Sequence, residues 1–156
     1  MPTIETIRGQ EILDSRGRPT VLASCVLKNG AMASASVPSG ASMGSAEAKE
    51  LRDGDPRRYG GLGCRLAVSK IDGAIGAALS GRTFDDQEQL DRLLIELDGT
   101  PDKSRLGANS ILAVSLAFAR ARARSLEMPL YRAFGELLVE FLAAQLAKFG
   151  EFSLAL

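Results

Sequence analysis

The stretch V-L-A-S-C-V-L-K-N-G-A-M-A-S-A-S-V (Val21 to Val37) decides how the first part of the chain folds. Its Asn29-Gly30 dipeptide sits between two apolar runs. Both residues tolerate the left-handed backbone of a type I′ turn, so the pair predicts a hairpin joining Val21–Leu27 to Ala31–Val37. Working back from it, Ile4, Ile7, Ile12 and Leu13 mark an earlier strand. That strand ends in a turn at Asp14-Ser15-Arg16-Gly17, where Asp accepts local backbone hydrogen bonds and Gly accepts positive φ. A second strand over Thr20 to Leu27 completes a small antiparallel meander. Pro38 ends it, because proline cannot donate to a ladder.

Helices follow. Over Arg65 to Leu79, residues Leu66, Ile71, Ala74, Ile75 and Ala78 recur at helical spacing, and Ser80-Gly81 closes the segment. Asp85, Asp86 and Glu88 place negative charge at the start of a helix whose stripe is Leu90, Leu93, Leu94 and Leu97, with Gly99 at its end. The run Ala108 to Ser125 is apolar nearly all round between Ile111 and Ala119, as a central buried helix should be. Arg120, Arg122 and Arg124 lie at its end. At about 100° per residue Arg122 points away from the other two, so no single basic stripe forms, and solvated ends complementing the helix dipole are the expectation. The predicted fold is α+β: a three-stranded meander packed on a helical bundle over residues 1–135.

Residues 136–156 differ in character and form a separate tail. Leu138, Phe141, Leu142, Leu146 and Phe149 fall on one side of a short amphipathic helix. This helix is expected to cover an apolar face of the domain; the alternative is a partner-binding helix. It is too short to cross a bilayer.

Composition removes several function classes. The chain has 156 residues, 19 basic and 19 acidic side chains, two cysteines and no histidine. Balanced charge offers no long-range attraction to nucleic acid or anionic lipid, so neither is an expected partner. Cys25 and Cys64 lie far apart without C-x-x-C spacing, in keeping with reduced thiols in the cytoplasm or with buried packing residues. Met1-Pro2-Thr3-Ile4-Glu5 does not read as a secretion signal. Without histidine there is no Ser-His or Cys-His pair and no imidazole-bound metal.

One loop is unusual. Val37-Pro38-Ser39-Gly40-Ala41-Ser42-Met43-Gly44 is rich in hydroxyls and hinged by glycine, and an Asp53-Gly54-Asp55 turn follows it. The loop lacks the Gly-Lys-Ser/Thr ending that grips phosphate and magnesium. Asp53 and Asp55 begin like a calcium loop. That template then meets Arg58 where glycine is required and Cys64 where the bidentate glutamate belongs, so a turn with solvated acids is expected. Asp85 with Asp86, and Glu96 with Asp98, read as helix-end acids.

Six ordered blocks carry a resemblance. Gly9 to Val21 (G-Q-E-I-L-D-S-R-G-R-P-T-V), Val37 to Gly44 (V-P-S-G-A-S-M-G), Glu50 to Asp55 (E-L-R-D-G-D), Leu97 to Thr100 (L-D-G-T), Lys103 to Ala117 (K-S-R-L-G-A-N-S-I-L-A-V-S-L-A) and Pro129 to Arg132 (P-L-Y-R) closely resemble the N-terminal domain of enolase in order and spacing. Enolases interconvert 2-phosphoglycerate and phosphoenolpyruvate using two magnesium ions. The resemblance implies that the catalytic lysine, the glutamate and the three carboxylate ligands of the tighter magnesium belong to a C-terminal barrel, none of which is in this chain. It leaves no catalytic residue here. Ser39, Gly40, Ala41, Ser42, Met43 and Gly44 would form the substrate lid, with Ser42 ligating the second Mg2+ and Gly40 and Gly44 absorbing the backbone rotation.

The pattern has departures. Met43 stands where threonine is usual, Arg18 where asparagine is, Gln10 where arginine is, and Leu22 where an acid is common. The last two positions bear on the intersubunit ion pairs of enolase dimers. The resemblance therefore implies the lid-bearing domain of an enolase-type lyase, as a truncated relative or one part of a split enzyme. It would turn over only with a barrel supplied in trans; the partners implied are such a barrel or a second copy of the chain. The alternatives are a non-catalytic binding or assembly module and a product without function.

Overall fold

The computed structural model describes residues 1–37, 44, 47–135 and 138. β1 (Ile4–Leu13), β2 (Pro19–Leu27) and β3 (Met32–Val37) form an antiparallel sheet in the order β1-β2-β3. Val21, Ala23, Cys25 and Leu27 alternate inward from the middle strand, with Ile4 and Ile7 of β1 and Ala33 and Ala35 of β3 on the same face. Across that face lies α4 (Ala108–Ser125), with bounds as predicted; its Ala113, Val114, Ala117, Phe118 and Ala121 are fully buried. Small side chains on both surfaces let the helix approach the sheet closely. The predicted α+β meander with packed helices is the observed architecture.

The β2–β3 turn differs from expectation. The Leu27 amide donates to the Ala31 carbonyl and the Gly30 amide to the Leu27 carbonyl, both at 2.9 Å. Gly30 has φ 86°, whereas Asn29 does not adopt positive φ. The loop thus has three residues, with one left-handed glycine instead of two left-handed residues in a type I′ turn. Asn29 is used elsewhere: its Nδ2 donates to Ser125 Oγ (2.6 Å), fastening the hairpin to the end of α4.

α1 (Arg65–Lys70) runs through a π turn (Ile71–Ile75) into α2 (Gly76–Leu79), covering the side of β1 away from β2. Gly9 of β1 lies against Ile71, and its amide donates to Asp72 Oδ1 (2.9 Å). The predicted apolar face is partly wrong. Leu66 and Ala74 are exposed, while Ala67, Ile71, Ile75 and Leu79 point inward at intervals of four. An α-helix would drift off a four-residue repeat, and the π turn supplies the extra residue that holds the four in line.

α3 (Gln87–Asp98) follows its reading closely. Asp86 Oδ1 accepts from the Gln89 amide (2.8 Å) as its N-cap, Leu90 and Leu94 are buried against the core, and Gly99 closes it with φ 69°. Phe84 and Phe118 meet edge to face at 5.8 Å where α3 joins α4. The expected tail helix over 136–156 lies outside the described residues apart from Leu138.

Candidate functional site

Of the loop residues singled out, Ser39, Gly40, Ala41, Ser42 and Met43 lie outside the described residues. Gly44 is exposed, and its φ is not left-handed. What the structure defines is the frame that carries this loop. Upstream, Val37 faces Val21 in the ladder, and the Thr20 hydroxyl donates to the Val37 carbonyl.

Downstream, residues 47–53 run as an irregular strap fastened to the start of α4. The Lys49 amide donates to the Asp102 carbonyl (2.7 Å), and Lys49 Nζ reaches Asp102 Oδ2 (3.0 Å). The Ala108 amide donates to the Lys49 carbonyl (2.8 Å), which satisfies the first turn of α4 where Gly107 has no side chain to cap it. Asn109, only 3% exposed, then brackets Leu51: its Oδ1 accepts from the Leu51 amide (3.0 Å) and its Nδ2 donates to the Leu51 carbonyl (3.1 Å). Gly107 has to be glycine. Its φ is 90°, and a Cβ would sit 2.6 Å from Leu51 Cβ.

The strap continues into a charge cluster that sequence reasoning misread. Asp53 is not a solvated acid: its Oδ2 is 3.1 Å from Arg58 Nη1, and its Oδ1 accepts from the Leu66 amide (2.8 Å). Arg58 also pairs with Glu11 of β1, whose carboxylate accepts from the Cys64 amide. The Arg58 hydrogen bond holds the Glu11 carboxyl below the usual range against the opposing effect of burial. Arg52 Nη1 donates to the carbonyls of Pro19 and Leu62 (2.8 Å each), while its Nε and Nη2 grip Glu50 Oε2. The E-L-R-D-G-D block is thus a buckle between β1, β2 and α1. The alternation of acids and arginines was a visible signal for it.

Asp98 is the helix-end acid expected, the last residue of α3, with more partners than that reading foresaw. It is 1% exposed, and its carboxylate accepts from the amides of Thr100 (3.0 Å) and Leu106 (2.7 Å) and from the Thr100 hydroxyl. Burial alone would raise its pKa; these donors overcome that and lower it. Asp98 thereby shapes the 99–107 loop that holds Lys49. Asn109 escaped notice because a polar residue at the start of a helix looks unremarkable in sequence.

Chemically, this frame holds the two ends of a loop. Both cysteines are buried and free, and burial pushes Cys25 up to about 12 and Cys64 up to about 11, so neither is a thiolate at neutral pH. Among the described residues no three His, Cys, Asp or Glu side chains converge as metal ligands. One serine cannot by itself satisfy magnesium, which prefers six oxygens, so these residues do not make a metal centre. No helix of the described residues is long and apolar enough to cross a membrane.

A three-stranded meander backed by helices, with the chain clamped on either side of residues 38–43, is the α+β class that the fold defines. Residues 4–134 match the family "Enolase, N-terminal domain", and the chain belongs to that family. It is 59% identical over 128 residues to an enolase of Legionella pneumophila (strain Lens), and 58% identical to those of strains Corby and Paris. In each comparison 82% of this chain aligns with 30% of the relative, so the chain spans less than a third of the enolases it matches.

Proposed function

We propose that this chain is the loop-bearing domain of an enolase-type enzyme acting on 2-phosphoglycerate and phosphoenolpyruvate in the cytoplasm, and that it turns over only when a barrel is supplied in trans. The observation that carries this reading is the match of residues 4–134 to the enolase N-terminal domain, with strong identity to complete enolases. Ser39, Gly40, Ala41, Ser42, Met43 and Gly44 then cover the substrate, and Ser42 adds one oxygen to a magnesium held by the barrel. Magnesium would supply charge stabilisation for the enolate. This chain's part is to deliver a hydroxyl and exclude water, from stems fixed by Thr20, Asp102 and Asn109.

The purified chain with magnesium and 2-phosphoglycerate is expected to form no phosphoenolpyruvate, and adding the barrel domain of a close relative is expected to restore turnover. Ser42→Ala should lower the restored kcat on the order of 10²-fold, the scale of a misplaced catalytic arrangement. Turnover by the chain alone that Ser42→Ala abolishes would overturn the proposal.

A second reading, a binding or assembly module without turnover, is favoured by one observation. Tyr131, Phe134 and Leu138, at the approach to the tail, are 74%, 40% and 58% exposed, so three large apolar side chains face solvent there. Removing residues 137–156 separates the two roles. Loss of solubility marks a packing helix, and a stable domain that no longer captures a partner marks a docking one.

A further inference from the structure

The three-stranded sheet ends at β3, and its register shows what that edge presents. Leu27 donates to Ala31 across the hairpin, so 27 and 31 stand as a bonded pair of the ladder, with the Leu27 carbonyl taken by Gly30. Stepping by two, Cys25 with Ala33, Ala23 with Ala35 and Val21 with Val37 do the same. The intervening residues Met32, Ser34 and Ser36 turn their amides and carbonyls outward. The strand is M-A-S-A-S-V, with neither charge nor proline, a composition that leaves an edge open to pairing.

Two side chains of α4 reach over that edge. Arg124 Nη1 donates to the Met32 carbonyl (2.6 Å) and Arg120 Nη1 to the Ser34 carbonyl (2.8 Å). One helical turn on α4 matches two residues on β3, since both span about 6 Å. Neither arginine is in an ion pair with an acid among the described residues. They are exposed cations at the end of α4, as the sequence suggested, and they also cap a strand. Arg122 points the other way, to the Asp85 carbonyl (3.3 Å).

We infer that the β3 edge is a latent self-pairing surface for a second copy of this chain, and that Arg120 and Arg124 keep it closed. A two-fold axis at Ser34 sets Ser34 opposite its counterpart and Met32 opposite Ser36 in an antiparallel six-stranded sheet. The arginines occupy two of the three outward carbonyls on each copy and would bring four guanidinium groups to one seam.

The test compares wild type, Arg120→Ala/Arg124→Ala and Arg120→Lys/Arg124→Lys by sedimentation velocity over a hundredfold concentration range, with hydrogen exchange at Ser34 and Ser36. The alanine pair is expected to double the wild-type mass at high concentration and to slow exchange of both amides at least tenfold. The lysine pair should behave as wild type. Ser34→Pro in the alanine background should abolish the doubling, because it removes an outward amide of the edge, whereas Ser34→Ala, which removes only the hydroxyl bonded to Ser24, should leave it. An alanine pair that stays folded by circular dichroism without added association, or whose association survives Ser34→Pro, would overturn the inference. If the alanine pair fails to fold, Arg120→Gln/Arg124→Gln carries the same expectations.

Discussion

Replacing Asp98 with alanine should unfasten the loop that holds the strap, and its cost can be worked from the contacts. The carboxylate is 1% exposed and accepts from two main-chain amides, Thr100 and Leu106, besides the Thr100 hydroxyl, which can turn to water. Each buried amide left without an acceptor costs about 1–3 kcal/mol, so Asp98→Ala should lose about 2–6 kcal/mol. Asp98→Asn keeps one acceptor oxygen and should lose about half as much. For a chain of this size the alanine loss lowers Tm by roughly 5–20 °C. Because the folded pKa of Asp98 lies below its unfolded value, its contribution is complete above the unfolded pKa and is lost as pH falls through the folded one. The gap between wild type and Asp98→Ala in urea unfolding should therefore be full at pH 7 and narrow below about pH 4. Hydrogen exchange at Lys49, whose amide bonds to Asp102, should quicken in the variant. A loss under about 1 kcal/mol at pH 7, or a gap indifferent to acid, would refute this account of Asp98.

Two further outcomes are expected. Gly107→Ala forces a Cβ onto Leu51 and Asn109 Oδ1 from a left-handed backbone and should cost about 3 kcal/mol or more in denaturant unfolding, whereas Gly17→Ala, with open space around it, should cost about 1 kcal/mol. Cys25 and Cys64, buried and with raised pKa values, should resist an aromatic disulfide reagent at pH 8 in the folded protein and react promptly in denaturant; rapid native labelling would show that the core opens around them.

The fold was legible where a local signal coincided with the global arrangement. Alternation through β2, the Asp86 cap and Gly99 stop of α3, and the dense apolar run of α4 each announced an element that the structure contains. Misreadings arose where distant residues decide the outcome. The π turn is required by the fit of α1 and α2 to β1, which helical spacing cannot foresee. Asn29 bonds both within its turn, to the Ala31 amide, and to Ser125, ninety-six residues away in sequence. Asp53 was read as a solvated acid and Asp98 only as a helix-end acid; their partners, Arg58 and Leu106, lie in segments whose folding had to be known first. The loop was recognised through its resemblance to a family, while the residues that clamp its stems came to light only as hydrogen bonds.

Those clamps have a consequence for how the domain can change. Thr20 and Val21 secure one post, and Asp102, Ala108 and Asn109 secure the other. The bridge between the posts can be rewritten like the string of an instrument whose pegs stay put. A lineage, or a designer, can exchange its letters to retune what it touches while the body that anchors it remains the same.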